Sequence, residues 1–214
     1  GQEQLANLRP LFPGREYIGC DMRPGAGVDR VEDLAGLRLA SESAATIVCM
    51  DTLEHVFEIR KAVSEMLRVL QPGGLMLVSV PLDFRIHDHP DDYWRLTPSC
   101  LSRLLNPLAA SVVGSQGLES YPHTVMAVGY KAPAPPDFPE RAQRMLKAFE
   151  TWCEARRRSE PLLSKCKRWL AGAIRSKGER RRIQAEYQCR FAVHFGAGSW
   201  SDARAAIEGL TVRS

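Results

Sequence analysis

The clearest pattern of hydrophobic and polar positions lies between residues 46 and 80. An apolar run, Leu75–Val80, is preceded by a shorter one, Thr46–Met50, and both are typical of parallel strands covered on both faces. Between the two runs, apolar side chains recur at helical spacing and share one face of a predicted helix. These are Ile59, Val63, Met66, Leu67 and Leu70. The pattern predicts a right-handed strand–helix–strand unit of an open α/β sheet.

Turn residues and shorter apolar runs define the other predicted elements. Pro72 cannot continue the helix, and we expect Gly73 and Gly74 to form its C-terminal cap. A second helix is expected to begin at Pro98, with Thr97 as its N-terminal cap. Four further strands are predicted: Glu16–Asp21, a short strand in the stretch Val28–Leu37 that ends at Asp33, Ala110–Gly117 and His123–Lys131.

Together these elements predict an α/β protein with a Rossmann-like, mostly parallel sheet that ends in an antiparallel hairpin. The body spans residues 1–133, and the Pro-rich segment 134–139 is expected to be a linker. Residues 140–214 are expected to form a basic α-helical extension. Helices are predicted there at Glu140–Ala155 and Leu162–Ile174.

The net charge of +4 is unevenly distributed along the chain. Residues 1–137 carry 12 Lys and Arg against 17 Asp and Glu, whereas residues 138–190 carry 15 against 6. Such a basic segment either is a solvated helical face or contacts an anionic surface. Trp169 stands among basic residues, which favours a phospholipid surface over nucleic acid for residues 140–190. No specific nucleic-acid motif is present.

The composition also indicates the cellular location that we expect for the protein. No apolar run approaches the roughly 20 residues of a transmembrane helix, and no secretion leader opens the chain. The six cysteines are scattered without a Cys-x-x-Cys pair, which favours reduced thiols. We therefore expect a cytoplasmic protein, with peripheral contact at the inner membrane face as an option left open by the basic segment.

The central segment carries a family resemblance. It reads LEHV after one strand and LRVLQPGGLMLVSVP into the next, and it resembles the second half of a class I S-adenosylmethionine-dependent methyltransferase, of the methyltransferase type 11 group. The resemblance implies methyl transfer with S-adenosylmethionine as cofactor. It also implies that the family's first strand and glycine-rich loop precede Gly1, which would then be the last glycine of that loop.

Acidic residues that follow predicted strands are the candidate cofactor ligands. In open α/β sheets, ligands lie beyond the carboxyl ends of the strands, and an acid there can accept hydrogen bonds from both ribose hydroxyls. Asp21 stands at such an end, and the alternative is a solvated loop aspartate. In the resemblance, Asp21 matches the ribose-binding acid and Asp33 the acid near adenine. The complete predicted cofactor set is Gly1, Asp21, Met22, Asp33, Leu34, Asp51 and His55.

The loop Phe84–Arg95 after the last parallel strand is the candidate acceptor site, because polar and aromatic residues crowd there. We expect Asp92, Tyr93 and Arg95 to contact the acceptor; alternatively, Asp92 and Arg95 pair while Tyr93 and Trp94 pack under the loop. His87, His89 and Asp91 have side chains that can bind a metal, but a single His-x-His is weak evidence for a site, so no metal is expected.

Histidine supplies the predicted chemistry. A hydroxyl acceptor must lose a proton, and a histidine near its ordinary pKa can take it. His87 or His89 is the expected base, whereas His55 is expected to stabilise the loop. We thus predict methyl transfer to a small-molecule or glycan or lipid-linked acceptor. The alternative is a non-catalytic remnant of the same fold that docks on a membrane or a partner.

Overall fold

A computed structural model describes residues 8–87, 91–118, 121–159 and 189–195. The strands and helices follow in chain order: β1 (Cys20–Asp21), β2 (Arg30–Val31), β3 (Ala44–Met50), α1 (Ile59–Val69), β4 (Leu70–Pro81), α2 (Pro98–Leu104), β5 (Ala110–Leu118), β6 (Tyr121–Tyr130), α3 (Phe138–Ser159) and β7 (Cys189–Phe195). Short 3₁₀ turns lie at Arg9–Leu11 and Leu53–His55.

The strands form two sheets. β1 and β2 pair in parallel, and the second sheet has the strand order β3-β4-β6-β5-β7. β3 and β4 are parallel, whereas the other neighbours in this sheet are antiparallel. The predicted α/β class and the closing hairpin are confirmed, and the described sheets are mixed rather than dominated by parallel pairs. The strands expected at Glu16–Asp21 and Val28–Leu37 are much shorter than predicted, because only two residues of each pair with the other.

The predicted strand–helix–strand unit is confirmed as β3, α1 and β4. The end of α1 differs from the expectation, because Leu70 is already extended and the Pro-Gly-Gly turn lies within β4. Gly73 has a φ of 72°, and its N–H donates to the carbonyls of Lys131 and Ala132 rather than to the helix. The Lys131 ammonium instead reaches the end of α1, donating to the carbonyls of Leu67 and Leu70 at 3.0 and 2.7 Å.

We expect Lys131→Met to lower the free energy of unfolding by about 1–2 kcal/mol, because the last carbonyls of α1 would lose a charged donor. Chemical denaturation measures the change. Lys61→Met is the control, since the Lys61 ammonium lies on the surface at 3.7 Å from Glu58 and should matter by less than about 1 kcal/mol. Equal losses in the two variants would contradict the role given to Lys131.

Helices cover both faces of the second sheet. The main core joins the apolar face of α1, the buried residues of α2 and the inward side chains of β4, β5 and β6. Val113 belongs to this core, whereas its neighbour Val112 points to the other face and packs in a second cluster with Phe138 and Ala142 of α3. The first turns of α3 are therefore part of the packed body, and α3 begins at Phe138, within the segment 134–139 that was predicted to be a linker.

The region predicted as a helical extension contains one further strand. β7 extends the sheet by pairing with β5 from Ala110 opposite Phe195 to Gln116 opposite Cys189. This is a correction, since no strand was expected after residue 131. Residues 160–188 lie outside the described part, so the second predicted helix and the expected contact with an anionic surface stay predictions. No helix among the described residues has an apolar stretch long enough to cross a membrane.

Candidate functional site

Asp21 and Asp33 both follow strands of the parallel β1–β2 pair and therefore lie at the same end of it. The strand ends are tied together, because the N–H of Glu32 donates to the Asp21 carbonyl. The Asp21 carboxylate is exposed and accepts the Arg23 N–H at 2.9 Å, and the Asp33 carboxylate accepts the Ala35 N–H at 2.8 Å. Each acid thus orders the turn that follows its strand, and both stand where an adenosine group was predicted to bind.

Asp51 ends β3 in a left-handed backbone conformation, with a φ of 47°. Its N–H donates to the Ser79 carbonyl, and its carboxylate accepts the Ser79 hydroxyl at 2.9 Å. These two contacts stabilise an uncommon conformation for a residue with a side chain. They turn the chain sharply into the 3₁₀ turn Leu53–His55 at the carboxyl end of the strand.

The loop after β4 folds back onto this 3₁₀ turn. The N–H groups of Tyr93 and Trp94 donate to the Glu54 carbonyl at 2.8 and 3.2 Å. The indole N–H of Trp94 donates to the Val56 carbonyl at 3.0 Å. The carboxyl ends of β3 and β4 are thereby covered by one segment, in the place where the acceptor loop was predicted.

An ion pair between Asp92 and Arg95 stabilises the loop Phe84–Arg95. The side chain of Asp92 is 1% exposed, and both of its oxygens accept from the Arg95 guanidinium, at 2.5 and 2.7 Å. Arg95 also donates to the carbonyls of Phe84 and Arg85. These bonds from Arg95 hold the pKa of the Asp92 carboxyl well below its usual range, against the effect of burial. The pair anchors the loop, and a contact of either residue with an acceptor stays a prediction.

A cluster of three ionisable side chains lies under the loop: Glu54, His55 and His87. The rings of His55 and His87 meet edge to face with their centroids 4.8 Å apart. The Nε2 atom of His55 is 3.7 Å from Oε1 of Glu54. Glu54 is completely buried, and burial raises the pKa of its carboxyl.

The two histidine rings are oriented by oxygen atoms of the loop. Nδ1 of His55 contacts the carbonyl of Asp91, and Nδ1 of His87 lies 3.1 Å from Oδ2 of Asp92. The backbone N–H of His87 donates to the same carboxylate oxygen at 2.8 Å. Asp92 therefore joins the anchor of the loop to the ring that was predicted to act on the acceptor.

The structure brings together part of the predicted site. The rings of His55 and His87 meet near the ends of β3 and β4, with the Asp92–Arg95 pair beside them, and Asp51 directly follows β3. Met22 is exposed, and Leu34 packs against the main core. Gly1 and His89 lie outside the described residues, so their predicted roles in cofactor binding and catalysis stay predictions.

Sequence reasoning missed Glu54. It stands within the LEHV motif, but the motif was used only for its resemblance and its carboxylate received no role. The signal that could have found it is a pair of ionisable residues, Glu54 and His55, between the apolar residues Leu53 and Val56. A charge there is either solvated or needs a partner, and only the fold shows that this one is buried.

Comparison with known proteins is informative for the first third of the chain. Residues 4–78, which run from before β1 into β4, match the methyltransferase domain family. A probable S-adenosylmethionine-dependent methyltransferase of Mycolicibacterium smegmatis is 35% identical over 77 residues. This alignment covers 36% of the present chain and 25% of that relative, so the chain matches about a quarter of the relative's length.

Solved structures of methyltransferases are similar at a low level. The S-adenosylmethionine-dependent methyltransferase of Mesorhizobium loti gives a TM-score of 0.42 at 14% identity, covering 53% of this chain and 80% of that one. The 1,6-didemethyltoxoflavin-N1-methyltransferase of Burkholderia thailandensis gives 0.41 at 17% identity, covering 52% and 59%. The predicted resemblance is confirmed for residues 4–78 by the sequence matches, and these scores add no argument to it.

Proposed function

We propose that this methyltransferase domain transfers a methyl group from S-adenosylmethionine to a small-molecule acceptor that binds against the loop Phe84–Arg95. One observation carries the proposal: in a chain whose residues 4–78 match a methyltransferase domain, the loop after β4 closes over the carboxyl end of β3 and places His87 there. Ligands of open α/β sheets lie at this end of the strands.

The residues present fit the adenosine part of the cofactor. Asp21 is exposed at the end of β1, and the hydrogen bond that it accepts from the Arg23 N–H involves Oδ1. A carboxylate in this position can accept bonds from ribose hydroxyls, and Asp33 with the backbone of Leu34 is the matching candidate for adenine. S-adenosylmethionine supplies a methyl group activated by a positively charged sulfur, so the protein mainly has to align the acceptor with it.

Apolar side chains around the loop support a small organic acceptor. Phe57, Phe84 and Ile86 are 66%, 43% and 83% exposed, although they are large and hydrophobic. Phe84 lies edge to face with His87 at 5.0 Å between centroids, and Phe57 contacts Tyr93 at 5.3 Å. Exposed apolar groups beside a few fixed polar ones are typical of a ligand-binding surface.

His87 is our candidate for the group that acts on the acceptor. With Nδ1 held by Asp92, the ring can keep its proton on that nitrogen and present the lone pair of Nε2. Nε2 would then accept the proton of a hydroxyl acceptor as the methyl group is transferred. His89 shares this proposal because it is only two residues away in the sequence.

The function is tested by calorimetry with S-adenosylhomocysteine and by transfer from S-adenosylmethionine labelled in its methyl group. The acceptors offered are a panel of small hydroxylated compounds. We expect stoichiometric binding in the full-length protein and label on at least one compound. Binding without transfer to any compound would contradict the acceptor class. Absence of both would favour the non-catalytic alternative, which no present finding supports.

We expect Asp21→Ala to weaken binding of S-adenosylhomocysteine by about 1–3 kcal/mol, the usual loss for a hydrogen bond to a charged group. Glu16→Ala is the matched control, because Glu16 precedes β1 and was given no ligand role. Calorimetry on both variants measures the difference. Unchanged affinity in Asp21→Ala would remove this residue from the site.

A further inference from the structure

The Glu54 carboxylate is buried without compensation among the described residues. Its side chain is 0% exposed, and neither of its oxygens has a hydrogen-bond partner there. The His55 ring lies beside it at 3.7 Å, which is too far for a hydrogen bond. A buried carboxylate in this situation is costly, and native proteins satisfy such groups with a proton, a partner or a cation.

Two histidines, His55 and His87, lie close enough to Glu54 to bind a cation together with it. Glu54, His55 and His87 can each offer one ligand atom, and these atoms lie within 4.8 Å of one another. Zinc binds imidazole nitrogen and carboxylate oxygen at about 2.0–2.2 Å, so ligands of one ion are separated by roughly 3–4 Å. The 3.7 Å between Oε1 of Glu54 and Nε2 of His55 meets this spacing, and a ligand atom of His87 lies within 4.8 Å of the other two.

The orientation of both rings fits metal ligation. Metal-binding histidines commonly donate their second ring N–H to a carboxylate or a backbone carbonyl, which leaves the other nitrogen for the ion. Here Nδ1 of His55 contacts the Asp91 carbonyl, and Nδ1 of His87 contacts the Asp92 carboxylate. Both Nε2 atoms are thereby left as ligands, and Nε2 of His55 is the one nearest Glu54.

We propose that Glu54, His55 and His87 bind one divalent transition-metal ion, such as zinc or cobalt(II), at the carboxyl end of β3. Two imidazoles and one carboxylate are a donor set that suits these ions better than magnesium or calcium. The proposal replaces the sequence-based expectations that the chain binds no metal and that His55 contacts the cofactor.

Three protein ligands leave a coordination position open, as in catalytic rather than structural metal sites. If the proposed methyl transfer holds, Glu54, His55 and His87 would hold an ion that supplies Lewis-acid activation of an acceptor hydroxyl, whose proton would pass to solvent. His87 would then be a ligand of the ion rather than the base. This last role rests on the proposed function, whereas metal binding itself does not.

The test measures metal binding alone, with no cofactor or acceptor. Metal-free protein is titrated with cobalt(II), followed by visible absorption, and with zinc, followed by calorimetry. We expect one ion per chain, and we expect Glu54→Gln and His87→Gln to weaken binding by roughly 100-fold or more. His123→Gln is the matched control, because His123 lies outside the cluster and bonds Thr124. It should bind like the wild type.

Several outcomes would overturn the proposal. Absence of stoichiometric binding by the wild type would do so, as would equal affinities in His87→Gln and His123→Gln. Should Glu54→Gln fail to fold, the half-buried His87 still provides the comparison. Because methyl transfer is assayed separately, loss of transfer with intact metal binding would contradict the proposed function and leave the metal site standing.

Discussion

His87→Gln is expected to lower the turnover of methyl transfer by ~10²–10⁴-fold while leaving the affinity for S-adenosylhomocysteine unchanged. His87 lies at the acceptor loop, with its ring between Phe84, His55 and the Asp92 carboxylate. Whether it takes the acceptor proton or binds an ion that activates the acceptor, its contribution is made in the transition state. The loss should therefore appear in kcat rather than in cofactor binding.

The measurement combines steady-state transfer from labelled S-adenosylmethionine with calorimetry of S-adenosylhomocysteine. His123→Gln is the control, since the His123 ring bonds Thr124 and lies outside the Glu54–His55–His87 cluster. It should retain turnover close to that of the wild type. If the two glutamine variants turned over equally fast, His87 would have no place in the chemistry.

The second large effect is expected at the anchor of the loop. Asp92→Asn should lower the free energy of unfolding by about 3–5 kcal/mol, because it leaves the Arg95 guanidinium largely buried without its negative partner. Asp137→Asn is a matched control. Asp137 also pairs with an arginine, Arg141, at 2.8 Å, but both side chains are about half exposed. Its loss should be less than about 1 kcal/mol.

Urea unfolding at several pH values separates the two pairs further. The pKa of Asp92 is lowered in the folded state, chiefly by the hydrogen bonds from Arg95. Its contribution to stability is therefore complete above the unfolded value, near pH 4, and is lost as the pH falls below it toward the folded value. The gap between wild type and Asp92→Asn should shrink over the same range. A constant gap would contradict the ionic origin of the effect.

The elements that sequence reasoning predicted well depend on contacts between near neighbours in the chain. The apolar face of α1 and the run Leu75–Val80 could be identified because their burial follows directly from periodicity. Thr97 was correctly predicted as a cap, and its hydroxyl accepts the Cys100 N–H at 3.2 Å. In each case the partner lies within one helical turn or on the same face.

The predictions that were wrong involve contacts between residues far apart in the chain. The Pro-Gly-Gly turn was expected to cap α1, but the carbonyls at the end of that helix are bound by Lys131, which lies about 60 residues further along the chain. β7 pairs with β5 across more than 70 residues. Long-range pairing of this kind leaves no periodic trace in a local window.

In the candidate site, too, local patterns could be predicted and long-range contacts could not. The acids after the strands and the crowded loop Phe84–Arg95 could be predicted, because the ends of parallel strands collect ligand-binding residues. The sequence also offered both readings of Asp92 and Arg95, and their pairing with each other is what the fold displays. It could not rank Glu54 above the other acids, since burial depends on what packs against a side chain.

By itself, the sequence determined the α/β class, the strand–helix–strand unit, the methyltransferase resemblance of the segment from LEHV to LRVLQPGGLMLVSVP and the loop in which to look for chemistry. These follow from local periodicity and from motifs of contiguous residues. Only the tertiary structure showed that Glu54, His55 and His87 lie together, that Asp92 pairs with Arg95 and anchors the loop, and that β7 joins the sheet. Those outcomes depend on distances between residues far apart in the chain, which are set when the core closes and the loop after β4 folds back over β3.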